Sequence, residues 1–178
     1  MNFFHYEIPP TAGLPLHISD FFPKFNSFEE KLSQFIGVSA VQIECSATVA
    51  LVVALSSIKK LSHKKKVIIS AYTCPWVPIA IIHCGLIPIV CDSKKEHFDF
   101  DLKKLRASLD QDVLAIIPTH LAGKIADIKK ILPLAKKNNI YVIEDAAQAL
   151  GARIKKQSVG LLGDISVFSL GVGKGLSI

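Results

Sequence analysis

A lysine set between two glycines, Gly173-Lys174-Gly175, is one of five places in this 178-residue chain where residue type and setting suggest chemistry. An amine held in a tight backbone turn can add to a carbonyl and form a Schiff base once its proton affinity is lowered. Its plain reading is an exposed lysine on a flexible loop. Asp145 ends an apolar run, with Gln148 three residues on. A carboxylate in a dry pocket needs a cationic partner, and a protonated pyridine nitrogen would be one. Its plain reading is a helix cap. Ser46-Ala47-Thr48 opens a strongly apolar helix. Small residues at a helix start present free N–H groups and a positive dipole end, which suits a phosphate; the plain reading is an N-cap. His120 follows the run VLAIIP, where a buried, satisfied histidine is the plain reading, and Ser169 follows another short apolar run.

These residues need elements that bring them together. Continuous apolar runs at 66–70, 87–91, 113–118 and 140–144, with a further one around 166–169, predict buried strands. Residues 38–45 read as one more short buried strand. Segments at 27–35, 49–58, 73–84, 102–109 and 125–138 predict helices, with Phe28, Leu32 and Phe35 on one face of the first and Pro133 kinking the last. Ser27 with Glu30 reads as a capping box, and Pro75 opens the third helix near its first turn. Strands of this kind alternating with helices imply an α/β fold, a mostly parallel sheet sandwiched by helices. In such sheets ligands gather at the carboxyl ends of the strands. Ser46-Ala47-Thr48, residues 71–76, Asp92, Thr119-His120, Asp145 with Gln148, and residues 171–175 all fall there.

Composition narrows the class. Half of the residues are hydrophobic and 20% are charged, as in a compact domain. The net charge of +6 comes from short, scattered lysine pairs and triplets with no aromatic residues between them. That pattern argues for solvated surface charge and against nucleic acid or a membrane surface. Cys45, Cys74, Cys84 and Cys91 have no CxxC spacing, so no zinc or thioredoxin motif is expected and a reducing cytoplasm is the simplest setting. The first residues lack the charged start and apolar core of a signal peptide. The longest apolar stretch, 76–91, is interrupted by Pro78, Gly85 and Pro88, and it is shorter than the roughly 20 residues that span a bilayer.

Taken together, the stations resemble the DegT/DnrJ/EryC1/StrS family of pyridoxal 5'-phosphate (PLP) dependent aminotransferases. The resemblance runs from about Phe35 to Ile178. Its most specific stretch is Val142-Ile143-Glu144-Asp145-Ala146-Ala147-Gln148-Ala149 followed by Gly151-Ala152. Next is Gly160-Leu161-Leu162-Gly163-Asp164-Ile165, leading to Phe168-Ser169 and then Lys174. The resemblance implies a fold type I large domain. It implies Lys174 as the Schiff-base lysine and proton shuttle, and Asp145 as the partner of the pyridine nitrogen. Gln148 would lie beside the ring, with Ser46, Ala47, Thr48 and Ser169 around the phosphate. His120 falls in a His-Leu-x-Gly block without an assigned role. The implied substrates are a keto-sugar, nucleotide-linked, and an amino-acid donor, glutamate or glutamine. The implied assembly is a homodimer.

Three departures stand beside the match. Ala47 replaces a frequent glycine. The position of the family's aromatic ring over the cofactor falls on Cys74, with Tyr72 and Trp76 two residues either side. The chain is also much shorter than usual for the family, so 1–25 read as an N-terminal arm and 26–178 as an incomplete PLP-binding large domain without the C-terminal small domain. A sheet edge left uncovered in this way predicts low stability and self-association. The rival reading is a truncated or degenerate member that keeps the fold without turnover. A related dehydratase is disfavoured because that branch has histidine at the lysine position. A generic nucleotide-binding domain is disfavoured because no GxGxxG or GxxxxGK[ST] follows a strand.

Overall fold

The computed structural model describes residues 28–122 and 124–171, so the arm, Ser27, Gly123 and Lys174 lie outside the described residues. Seven strands occur among them: β1 (Lys66–Ser70), β2 (Ile87–Cys91), β3 (Val113–Ile117), β4 (Tyr141–Asp145), β5 (Arg153–Ile154), β6 (Gln157–Ser158) and β7 (Ile165–Val167). Five helices accompany them: α1 (Phe28–Ile36), α2 (Ala47–Lys59), α3 (Trp76–His83), α4 (Leu102–Ala107) and α5 (Ile128–Lys137). The main sheet has the order β2-β1-β3-β4-β7, with every neighbouring pair parallel. β5 and β6 form a separate antiparallel hairpin.

The central strand β3, Val-Leu-Ala-Ile-Ile, is buried along its whole length, as a strand covered on both faces must be. Alternation then splits the core. Val67, Ile69, Ile117 and Ile143 pack on one side with α2 and α3 residues such as Leu55 and Ile81. Ile68, Ile116 and Val142 pack on the other with Leu105 of α4 and Ile131 and Ala135 of α5. Each fully buried isoleucine of this kind contributes about 2 kcal/mol. The same alternation fixes the end of β4: Asp145 shares a side with Ile143, and Glu144 shares a side with Val142.

Local chemistry sets the helix ends. Ser46 Oγ accepts the Val49 N–H at 3.2 Å and starts α2. Asp101 Oδ1 accepts the N–H groups of Lys103 and Lys104 and starts α4. Past the end of α5, Lys64 Nζ donates to the carbonyls of Asn138 and Asn139 at 2.9 and 2.8 Å, placing a cation at the negative end of the helix dipole.

Several expectations are corrected. Residues 38–45 form no strand; Ile43 and Cys45 are exposed, and no ladder partner lies beside them among the described residues. A strand-like run without a neighbouring strand has nothing to pair with. The expected apolar face of α1 is not its buried face: Phe28 and Phe35 are exposed, and Ser33 and Ile36 are buried. Phe35 instead lies under Arg153, whose Nη2 donates to the Phe35 carbonyl at 2.8 Å. The third helix begins at Trp76, later than expected, with Pro75 as its N-cap. Ser169 lies beyond β7 rather than within it. The segment after Asp145 is a turn, not a helix.

Candidate functional site

A cavity of about 450 Å³ opens at the carboxyl ends of β1, β3, β4 and β7, against the start of α2. Ser46, Ala47 and Thr48 line one wall. With Ser46 Oγ taken up by Val49, the first-turn amides of Ala47 and Thr48 have no intrahelical acceptor, so this wall is a donor-rich, positive end. Asp145 and Gln148 line a second wall, and Ser169 a third. Tyr72, Cys74 and Trp76 all line the same space. Tyr72 stacks on Phe98 with ring centroids 5.0 Å apart, and Trp76 is 60% exposed.

Asp145 is 8% exposed. Its Oδ1 accepts the Ala147 N–H at 3.2 Å, so the carboxylate bends its own backbone into the turn that carries Gln148. Gln148 Oε1 accepts the Ala122 N–H at 3.3 Å. Ala122 has φ +52, in the left-handed region that alanine rarely adopts, which aims its N–H at Gln148. Ser169 Oγ accepts the Gly171 N–H at 3.4 Å.

The other side of β4 is sealed. Glu144, 1% exposed, faces His120, 2% exposed, with Oε2 to Nε2 at 3.0 Å. Its Oε1 accepts the N–H groups of Leu162 and Gly163 at 2.7 and 2.5 Å. His120 Nδ1 accepts the Ala126 N–H at 3.0 Å, so the hydrogen-bond network assigns the ring proton to Nε2, which donates to Glu144. Burial alone pushes the Glu144 carboxyl up. The hydrogen bonds from His120, Gly163 and Leu162 outweigh burial and hold it below the usual glutamate value.

The structure therefore brings Ser46, Ala47, Thr48, Asp145, Gln148 and Ser169 around one cavity. Lys174 lies outside the described residues. His120 is the satisfied buried histidine of the plain reading. Thr73 and Thr119, which the sequence placed at strand ends without a role, also line the cavity, and their hydroxyl oxygens stand 3.3 Å apart. Their signal in the sequence is position: each closely follows a strand of the sheet, as Asp145 ends one.

Comparison with known proteins agrees with this geometry. The model of the DegT/DnrJ/EryC1/StrS aminotransferase family matches residues 17–177. The chain belongs to this family. It is similar to the spore coat polysaccharide biosynthesis protein SpsC of Bacillus subtilis, 32% identical over 87% of this chain and 40% of SpsC. It is also similar to the GDP-perosamine synthase of Caulobacter vibrioides, 34% identical over 80% of this chain and 38% of the synthase. Among solved structures, Spr1654 of Streptococcus pneumoniae in its apo form matches with a TM-score of 0.79 and 26% identity. That match covers 85% of this chain and 42% of Spr1654. The same protein is also known in PLP and PMP (pyridoxamine phosphate) forms. The chain thus spans about 40% of the length of the relatives it matches.

The DegT/DnrJ/EryC1/StrS family is PLP-dependent, and the residues present fit that cofactor. PLP offers a phosphate, a pyridine nitrogen that is cationic when protonated, and a ring hydroxyl. The α2 start offers amide donors, Asp145 a nearly buried carboxylate, and Gln148 a polar side chain on the same wall. The cavity falls within the roughly 300–1,000 Å³ typical of small-molecule sites. Among the described residues no helix is long and apolar enough to cross a membrane.

Proposed function

We propose that residues 26–178 form the cofactor-binding domain of a PLP-dependent aminotransferase that places an amino group on a keto-sugar, with a nucleotide-linked sugar as the substrate class. The observation that carries this reading is the convergence of the α2 start, Asp145, Gln148 and Ser169 on one cavity. When bound, PLP supplies an electron sink for the carbon that loses and regains a proton. Asp145 keeps the pyridine nitrogen protonated by presenting a carboxylate that little water can reach. The amides of Ala47 and Thr48, with the hydroxyls of Ser46 and Ser169, hold the phosphate and so fix the register of the ring. Gln148 orients the ring hydroxyl. Lys174 binds the cofactor and carries protons at the substrate carbon. Glutamate or glutamine is the amino donor. The names of the relatives, which include a GDP-perosamine synthase, support the sugar-nucleotide class. The working form is a homodimer in the cytoplasm.

Adding PLP to the purified protein tests this reading. The expected result is a visible band from lysine-bound cofactor that borohydride reduction fixes onto the peptide containing Lys174. Lys174→Ala should show no such band. A band that survives in Lys174→Ala overturns the assignment, and a wild-type protein that binds no PLP favours the rival reading of a member without turnover.

A further inference from the structure

We propose that Glu144, on the face of β4 turned away from the cavity, is a positioning residue that sets the relative placement of the three chain segments that build the cofactor pocket. The inference rests on the cofactor reading above. Three stretches approach the cavity from outside α2: the loop after β3 with Thr119 and His120, the end of β4 with Asp145 and Gln148, and the turn at 160–164 that feeds β7 and Ser169. Glu144 touches all three. It belongs to the second, accepts a hydrogen bond from the His120 ring of the first, and accepts the Leu162 and Gly163 amides of the third.

The backbone repeats the tie. The Asp145 N–H donates to the Pro118 carbonyl at 2.9 Å, and the His120 N–H donates to the Asp145 carbonyl at 3.0 Å. A side chain that moves Glu144 therefore moves Asp145 with it. Packing leaves little slack. A Cβ at Gly163 would meet the Val142 carbonyl oxygen at 2.7 Å and Glu144 Cγ at 3.1 Å, so the turn sits directly against the clamp.

Stability alone does not account for the arrangement. Replacing both partners of a buried hydrogen-bonded pair by apolar groups of similar shape is often neutral or stabilising. What an apolar pair could not do is fix three separate segments through three directional hydrogen bonds. Cofactor sites need placement to within about half an ångström, and that placement comes from supporting groups that touch no ligand. Glu144 itself does not line the cavity, so its effect on the site runs through its partner His120, its neighbour Asp145 and the turn that leads to Ser169.

The test uses pyridoxamine phosphate, which binds without a bond to lysine. Glu144→Gln keeps the shape and still accepts from Leu162 and Gly163, but its amide N–H meets the His120 Nε2–H, donor against donor. His120→Asn keeps an acceptor for Ala126 at the Nδ1 position and removes the bond to Glu144 along with the outer half of a ring that lines the cavity. Each variant is expected to bind pyridoxamine phosphate about tenfold or more weakly by calorimetry, well below its unfolding midpoint, with cooperative unfolding retained. The His120 ring nitrogens in ¹⁵N NMR should show an acceptor Nδ1 and a protonated Nε2 in wild type, and an altered pattern in Glu144→Gln. Wild-type affinity in both folded variants overturns the inference, as does a failure of both to fold, which assigns the clamp to stability alone. If Glu144→Gln alone fails to fold, His120→Asn decides. A wild-type protein that binds neither pyridoxamine phosphate nor PLP overturns the cofactor reading itself, a result distinct from the variants' behaviour.

Discussion

Glu144 and Asp145 are neighbouring acids on one strand with opposite surroundings. Asp145 faces a cavity about 450 Å³ in volume and is held by its own turn. Glu144 faces a closed interior where three donors occupy its two oxygens. The strand's period of two residues is enough to separate them. One acid is left with a face toward incoming chemistry, and the other is consumed in holding that face still. An ionised side chain next to a functional one is thus no guide to function; the partners it has already found decide.

Swapping the character of each acid is the sharpest way to break this contrast. Under the proposed function, Asp145→Asn should leave the unfolding midpoint nearly unchanged and lower amino transfer by about 10³-fold, because a neutral amide would no longer hold the ring nitrogen's proton. Steady-state kinetics beside a thermal melt would check this. Glu144→Ala should do the reverse first, costing about 3 kcal/mol of stability by stranding the Leu162 and Gly163 amides and the His120 ring, as read by denaturant titration. Gly163→Ala should cost about 2 kcal/mol, because its Cβ collides with the Val142 carbonyl. The smallest effect concerns pH. The folded-state affinity of Glu144 for a proton is below the ordinary value. Its stabilising contribution is therefore fully present above the ordinary value of about 4.3, and it is lost as pH falls through the lower, folded-state value. The stability gap between wild type and Glu144→Gln should be constant above about pH 5 and shrink in more acid solution. A gap that widens on acidification would reverse the assigned sign.

Much of this was legible before the fold was seen. The runs KVIIS, IPIVC, VLAII and YVIED became β1 to β4, because continuous apolar strands between helices leave few other solutions. Ser46, Asp145 and Gln148 could be placed because strand ends and helix starts are local signals. The clamp was not legible in the same way. His120 and Glu144 lie 24 residues apart, and only the parallel pairing of β3 with β4 brings them together. The β5–β6 hairpin also escaped, since its turn is Lys155-Lys156, with Lys155 at φ +58, and carries none of the Gly or Asn that mark such turns. The segment 38–45 misled in the opposite direction: it reads as a short buried strand, but pairing needs a neighbour that the run itself does not supply.

The parallel ladder has a consequence for the order of assembly. β1 joins β2 across a short crossover, Lys66 opposite Ile87, whereas its other neighbour, β3, begins at Val113. β4 waits for β7 at Ile165. Contacts that close longer loops carry a larger entropic cost and form more slowly. The cavity draws walls from β1, β3, β4 and β7 at once, so it exists only when the farthest of these closures is made. Occupancy of the site by a small phosphate-bearing molecule would therefore report completion of the whole sheet, and such a molecule would act as a pharmacological chaperone for the chain.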